Sequence, residues 1–356
     1  MNKRDSDWLA DLGRSHPTPL GVLMPRSSQA RYFELLDAFQ SVAPSVHVFY
    51  SVKTNPHPAL LSSLNAMESG FECASLRELE AVSSFSRPLL LNAPASSDEE
   101  IRRALELNAC IVLDSFSQAE QVARVAASKP TEVGVRLRLD KYRFGFSPEE
   151  LPLVFSRLSE LGLRVKLVHA HPGTSMTLSH YRSFISRVAE IIRLFPSVSF
   201  LDIGGGFPGK TTLLERKETI TSYALIVKEL LGEHLRSRTL FLESGRFLVE
   251  DSMIVLSRVM HVKKLEDTGF ALLDAGINVL PRASLSPFRV TALSESGEKK
   301  AIFRLAGPLL FGSDEFSQLS AKLAVGDLVA IENTGAYCTE LAWRLSRDPL
   351  TIHIVE

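Results

Sequence analysis

The run Phe49-Tyr50-Ser51-Val52-Lys53-Thr54-Asn55-Pro56 closes a short apolar, β-branched stretch with a lysine. A lysine at the mouth of a sheet loses solvent, which favours its neutral form. A partly neutral amine can attack an aldehyde and form a Schiff base. Two further stretches complement it. Leu201-Asp202-Ile203-Gly204-Gly205-Gly206-Phe207-Pro208-Gly209 offers backbone amides with no side chain in the way, a cradle for phosphate. Leu242-Glu243-Ser244-Gly245-Arg246 offers a carboxylate and a guanidinium able to pair with phosphate. An amine, a phosphate cradle and an acid facing a ring nitrogen are what pyridoxal 5′-phosphate requires of a protein.

These groups need elements that bring them together. Eight short apolar runs, at 46–53, 70–74, 88–92, 110–114, 133–139, 164–170, 198–203 and 239–243, read as strands. Between them lie stretches of helical periodicity, such as Ala30 to Val42, Ser97 to Leu107, Ser179 to Leu194 and Lys217 to Leu231. Ser97-Asp98-Glu99-Glu100 and Ser147-Pro148-Glu149-Glu150 carry N-cap signals. Eight β/α repeats predict a closed (β/α)8, TIM-like barrel over residues 26–244; an open doubly wound sheet has fewer strands as a rule. After about residue 245 strands follow one another without long helices, which predicts a C-terminal all-β domain. Residues 245–356, with 1–25 adding a strand, make up that domain. In a β/α barrel the site lies at the C-terminal ends of the strands. Lys53, Glu72, His169, His171 with Gly173-Thr174, Gly204 to Gly206, and Glu243 with Arg246 all fall at such ends. Polar groups gathered at one rim cost stability unless they are used.

The 356 residues are 45% hydrophobic, enough for a sizeable core, and carry a net charge of −1 with the basic residues scattered. This charge pattern speaks against nucleic acid and against an anionic membrane surface. Cys73, Cys110 and Cys338 have neither metal-ligand nor disulfide spacing. The N-terminal run Met1-Asn2-Lys3-Arg4-Asp5-Ser6-Asp7 is polar, and no apolar stretch of about 20 residues could span a bilayer. The expected location is the cytoplasm.

In order along the chain, Tyr50-Ser51-Val52-Lys53-Thr54-Asn55-Pro56, Gly70-Phe71-Glu72-Cys73-Ala74-Ser75, Arg143-Phe144-Gly145, His169-Ala170-His171-Pro172-Gly173-Thr174, Asp202-Ile203-Gly204-Gly205-Gly206, Glu243-Ser244-Gly245-Arg246, Gly307-Pro308 and Gly335-Ala336-Tyr337 form a set. With this set the chain resembles the fold-type III, pyridoxal-phosphate-dependent basic amino-acid decarboxylases, which include the ornithine, diaminopimelate and arginine enzymes. The resemblance runs from about residue 45 to about 345. It implies an alanine racemase-like fold, with Lys53 holding the cofactor and Glu243 facing the pyridine nitrogen. It places His171 flat against the ring and leaves His169 as a core residue. Gly204, Gly205, Gly206, Gly245, Arg246, Tyr337 and Thr174 would bind the phosphate side. Glu72 stands where the family more often has Asp. The resemblance also implies a head-to-tail homodimer with shared sites, bridged between copies by Arg143 and Asp314, where Arg143 replaces the family's lysine.

The substrate side departs from the family pattern. After Gly307-Pro308 the family carries a Cys that reprotonates the product carbon and an Asp that faces a distal amine; here Leu310 and Phe311 stand in those places. Leucine has no proton to give, and phenylalanine meets an ammonium group only through its face. Cys338, beside Tyr337, is the nearest thiol in sequence and a candidate donor, and Arg282 is a candidate contact for an acidic part of the substrate. These departures predict a decarboxylase acting on a conjugated or modified amino acid, a small molecule or a carrier-linked one, in a siderophore-like or antibiotic-like pathway. Two rivals are an amino-acid racemase of the same fold, which would place an arginine rather than Glu243 at the ring nitrogen, and a non-catalytic homologue that binds a partner.

Overall fold

The eight apolar runs do close on themselves. The computed structural model describes residues 3–127, 129–265, 268–285 and 287–355; Met1, Asn2 and Glu356, at the ends of the expected all-β domain, lie outside them. Contacts divide the chain into two units, Gln29–Leu248 and Met1–Ser28 with Val249–Glu356, against the expected 26–244 and the remainder. The first strand, β1 (Leu20–Leu23), belongs to the second unit. The barrel follows as β2 (Val46–Ser51), β3 (Gly70–Cys73), β4 (Leu89–Leu91), β5 (Cys110–Leu113), β6 (Thr131–Leu137), β7 (Leu163–Ala170), β8 (Phe200–Asp202) and β9 (Thr239–Ser244). Each strand pairs in parallel with the next, and β2 pairs with β9 to close the ring.

The strands form where they do because their residues are buried on both faces, towards the barrel interior and towards the surrounding helices. Inside, Phe49, Leu90, Val112, Leu167 and Phe241 make one cluster, with the Phe49 and Phe241 rings 4.7 Å apart. The helices start where the side chains can cap them. Ser97 accepts from the Glu100 amide while Glu100 reaches back, a complete capping box. Ser147 and Glu150 form a second, ahead of the helix Leu151–Glu160. The expected helix over 217–231 starts three residues later, as Ile220–Leu231, and a short helix the sequence reading did not include, Lys210–Arg216, precedes it. Lys217 adopts a left-handed conformation (φ 54°), ending the short helix, and the Thr219 side chain caps the longer one at the Ser222 amide.

The second unit is a mostly antiparallel sheet. Its strands are β10 (Met253–Leu265), β11 (Thr268–Leu273), β12 (Val290–Ala292), β13 (Ala301–Ala306), β14 (Glu315–Ala321), β15 (Leu328–Ile331) and β16 (Thr351–Ile354), in the order β12-β15-β10-β11-β13-β14. The N-terminal segment does add a strand: β1 pairs antiparallel with β10 and parallel with β16. It is preceded by a helix, Lys3–Ser15, that the sequence reading did not include. Leu9 of that helix packs with Leu20, Val22, Leu256 and Ala330. No helix among the described residues is long and apolar enough to cross a membrane.

Candidate active site

Lys53 follows β2 in a single 3-10 turn, Val52–Thr54. The buried Tyr50 hydroxyl donates to the Asn55 carbonyl at 2.9 Å and ties the far end of this turn back to the strand. The Lys53 side chain is 44% exposed, not submerged as the apolar run suggested. Its Nζ donates to both oxygens of Glu72, at 2.7 and 2.6 Å, and Glu72 itself is wholly buried at the end of β3. Ser51 and Glu72 are in register on neighbouring strands, so the lysine, two residues on, meets the carboxylate directly. The amine is therefore placed by an ion pair, with its outer part open to solvent.

On the other side of β2 in the ring, β9, with β8 and β7 beyond it, brings three more groups together. His169 Nε2 lies 3.2 Å from Glu243 Oε2, and both side chains are buried. The His169 and His171 rings are nearly parallel, 6.5 Å between centroids and 14° between planes. His171 Nδ1 accepts from the Gly205 amide at 3.4 Å and lies 4.0 Å from Glu243 Oε2. Burial pushes the His171 imidazole well below the usual range, against the pull of the Glu243 charge, so it sits in the site as a neutral ring. Burial would raise the Glu243 carboxyl, but the His169 imidazole, by charge and hydrogen bond, and the Lys53 ammonium bring it below its ordinary value. Asp202, fully buried, goes the other way: burial and the neighbouring Glu243 charge hold its carboxyl well above its ordinary range.

The glycine run is dictated by packing as much as by any ligand. A Cβ on Gly205 would stand 2.0 Å from the Glu243 carbonyl oxygen, and one on Gly204 2.5 Å from His171 Nδ1. Gly204 and Gly206 also have positive φ, 64° and 80°. The Gly204 amide donates to Asp202 Oδ1 at 2.7 Å, so it is not available to a phosphate as the sequence reading supposed. Gly245 presses on Thr54, beside Lys53, with no room for a Cβ. Arg246 opens the helix Arg246–Val249 and is part-buried, while Thr174 is exposed in the loop after β7.

The residues present fit pyridoxal 5′-phosphate. Of the buried side-chain atoms without a hydrogen-bond partner among the described residues, Glu243 Oε1, Asp202 Oδ2, His169 Nδ1, Ser244 Oγ and Thr54 Oγ1 lie at or next to the C-terminal ends of barrel strands; others lie elsewhere. Buried polar atoms left unpaired at one rim are costly unless a ligand meets them. A half-exposed amine, an acid with a free oxygen and a glycine loop are the complementary parts. His169 and Asp202 are the groups that sequence reasoning undervalued; the one available signal was their position at the ends of β7 and β8.

The residues expected of the second unit are placed differently from the resemblance. Asp314 is buried; its carboxylate accepts from the Ile277 and Leu309 amides at 2.7 and 2.8 Å, and Gly276 and Gly307 pack against it. Within its own unit it organises the loops around it. Arg143 is exposed, its guanidinium stacked on Phe144 at 4.4 Å, with Arg136 at 4.7 Å from the same ring. Arg282 is buried too: it donates to the Asn333 carbonyl at 2.6 Å, pairs with Glu250 at 3.4 Å and stacks on Phe288. Two of its nitrogens are thus taken up by internal partners, while Nε has none among the described residues. Cys338 is fully buried. Tyr337 lies in a turn with φ 60°, a conformation rare for a bulky residue and a sign of functional constraint. Leu310 is fully exposed, and Phe311 is 52% exposed with its ring edge-on to Trp343.

Residues 30–250 match the family model described as the pyridoxal-binding domain of pyridoxal-dependent decarboxylases. A diaminopimelate decarboxylase of Pseudomonas aeruginosa is 28% identical over 92% of this chain and 85% of its own length. The fold is similar to that of a diaminopimelate decarboxylase from Helicobacter pylori complexed with L-lysine (TM-score 0.88, 24% identity, 97% of this chain and 93% of that one). It is also similar to a lysine/ornithine decarboxylase from Vibrio vulnificus complexed with cadaverine (TM-score 0.87, 25% identity, 100% and 99%).

Proposed function

The chain belongs to the family of pyridoxal-dependent decarboxylases, and on that footing we propose that it removes the α-carboxylate of an amino acid whose distal end carries no free ammonium group. Pyridoxal phosphate supplies an aldehyde that links to amines and a protonated ring that accepts the electron pair left when CO2 departs. Lys53 holds the cofactor between turnovers, and Glu72 holds the Lys53 ammonium whenever the amine is free. Glu243 keeps the proton on the ring nitrogen through its unpartnered Oε1, and the neutral His171 ring covers one face. Gly206 and Arg246 take the phosphate. Lys53 and Glu243 at the same rim, from the paired strands β2 and β9, carry the reading of the reaction. An acid at the ring nitrogen favours decarboxylation over racemisation.

The substrate reading rests on the apolar pair Leu310 and Phe311, both solvent-facing where the family resemblance expects a thiol and an acid. The sequestered Arg282 agrees with it. A conjugated or carrier-linked amino acid suits such a surface. Diaminopimelate is the second reading, favoured by the name of the Pseudomonas relative. A mass-spectrometric screen for loss of CO2 over free and conjugated amino acids decides. Turnover of a conjugate with weak or absent turnover of the free diamino acids is expected. Efficient turnover of free ornithine, lysine, arginine or diaminopimelate overturns the substrate reading. Loss of optical rotation with no CO2 released overturns the reaction.

A further inference from the structure

Glu243 has to present one oxygen in one orientation and one charge state, and two other buried groups bear on that. His169 Nε2 lies 3.2 Å from Glu243 Oε2. An ionised carboxylate only accepts, so Nε2 carries the proton of this bond. His171 does not compete for the same oxygen: its Nδ1 is 4.0 Å away and already accepts the Gly205 amide. Asp202 is the register partner of His169 on the adjacent strand. Its Oδ1 accepts the Gly204 amide, while its Oδ2 is buried and unpartnered.

Two carboxyl groups in one dry pocket do not both ionise, and their surroundings decide which keeps the proton. Here the surroundings differ. Glu243 has an imidazole donor on one oxygen and the Lys53 charge in range. Asp202 has one amide and the Glu243 carboxylate itself as hydrogen-bonding neighbours, and no cation in contact among the described residues, so a proton on Asp202 is shared towards Glu243.

We propose that His169 and Asp202 are positioning residues for Glu243: the imidazole fixes the carboxylate through Oε2, Asp202 holds the proton that would otherwise neutralise it, and Oε1 is left to accept from the cofactor's ring nitrogen. The proposal deepens, and rests on, the reading that Glu243 faces that nitrogen. It also explains why a histidine that could be plain core is joined to the one acid the chemistry needs.

The test compares two ligands on the apoenzyme: pyridoxal phosphate and its deaza analogue, in which a C–H replaces the ring nitrogen. Dissociation constants come from equilibrium titration, and the visible absorption of the bound ligand is recorded alongside. His169→Leu should weaken pyridoxal phosphate by about tenfold or more, the scale of a lost hydrogen bond to a charged group. His169→Gln, which keeps a donor near the Nε2 position, should restore most of that loss. With the analogue, wild type and His169→Leu should bind within about twofold, since no ring nitrogen is there for Oε1 to meet. Asp202→Asn, shaped like the neutral acid, should bind pyridoxal phosphate as wild type does.

An unchanged affinity in His169→Leu, or an equal loss for both ligands, overturns the role given to His169. A loss in Asp202→Asn as large as that in His169→Leu overturns the role given to Asp202. If His169→Leu does not fold, His169→Asn, whose shorter amide stops short of Oε2, takes its place with the same expectations. A wild-type apoenzyme that binds neither ligand refutes the cofactor reading itself, and one that binds both equally refutes the facing of Glu243 to the nitrogen.

Discussion

Lys53 owes its place to Glu72 and to the Tyr50 hydroxyl that closes its turn, not to immersion in an apolar mouth. Lys53→Ala should abolish the visible absorption of the bound cofactor and cut turnover by about a thousandfold or more, measured by absorbance and CO2 release. The neutral histidine predicts a pH dependence. Burial takes the His171 imidazole down to about 3 from its ordinary 6.5. Between those values the unfolded chain binds a proton that the folded chain refuses, so stability is full above 6.5 and falls as pH drops through the window. The urea midpoint of the apoenzyme should fall between about pH 7 and about pH 5, and His171→Asn should lessen the fall. Asp202 has the opposite sign. Its raised folded value means that its contribution is lost as pH rises, so Asp202→Asn should be at least as stable as wild type at neutral pH in the same titration.

At the scale of elements, the loop after β8 and the end of β9 are built as one piece. The Glu243 amide donates to the Gly204 carbonyl at 3.0 Å, and Gly205 lies against the Glu243 carbonyl. This contact positions the glycine loop and the Glu243 carboxylate together. Gly205→Ala would set a methyl group 2.0 Å from that oxygen. The strands would have to part, at a cost of about 1–3 kcal/mol. A lowered urea midpoint together with weakened cofactor binding is expected; unchanged values would mean that the loop can move freely of β9. Gly245, packed on Thr54, ties the turn of Lys53 to the start of the helix that Arg246 opens in the same way.

At the scale of the molecule, the unpartnered polar atoms at the barrel rim imply that the apoenzyme is stabilised when they are met. Pyridoxal phosphate at about a thousand times its dissociation constant should add about 4 kcal/mol, read as a rise in melting temperature over the apoenzyme. The family resemblance implies a homodimer, and light scattering of the purified protein should give twice the chain mass. Because Asp314 is taken up by the Ile277 and Leu309 amides, Arg143→Ala should leave that mass unchanged, whereas a bridge to Asp314 would make it fall.

The sequence by itself determined the barrel and the sheet that follows it, and put Lys53, Glu243 and the glycine run at the ends of strands. Strand periodicity, the order of eight β/α repeats and the spacing of a few polar residues at strand ends are local properties, and they survive in one dimension. Only the tertiary structure decided which partners those residues have. Glu72 beneath Lys53, His169 on Glu243, and Asp202 beside them come from three different strands, and register sets their meeting. The same holds for the charged residues of the second unit. Arg282 and Asp314 are charged and resemble residues with tasks at a substrate or an interface, yet Glu250, the Asn333 carbonyl and the Ile277 and Leu309 amides bury them. A charge in the sequence carries its chemistry with it, but whether it faces a ligand or an internal partner depends on desolvation and geometry, which exist only once the chain has folded.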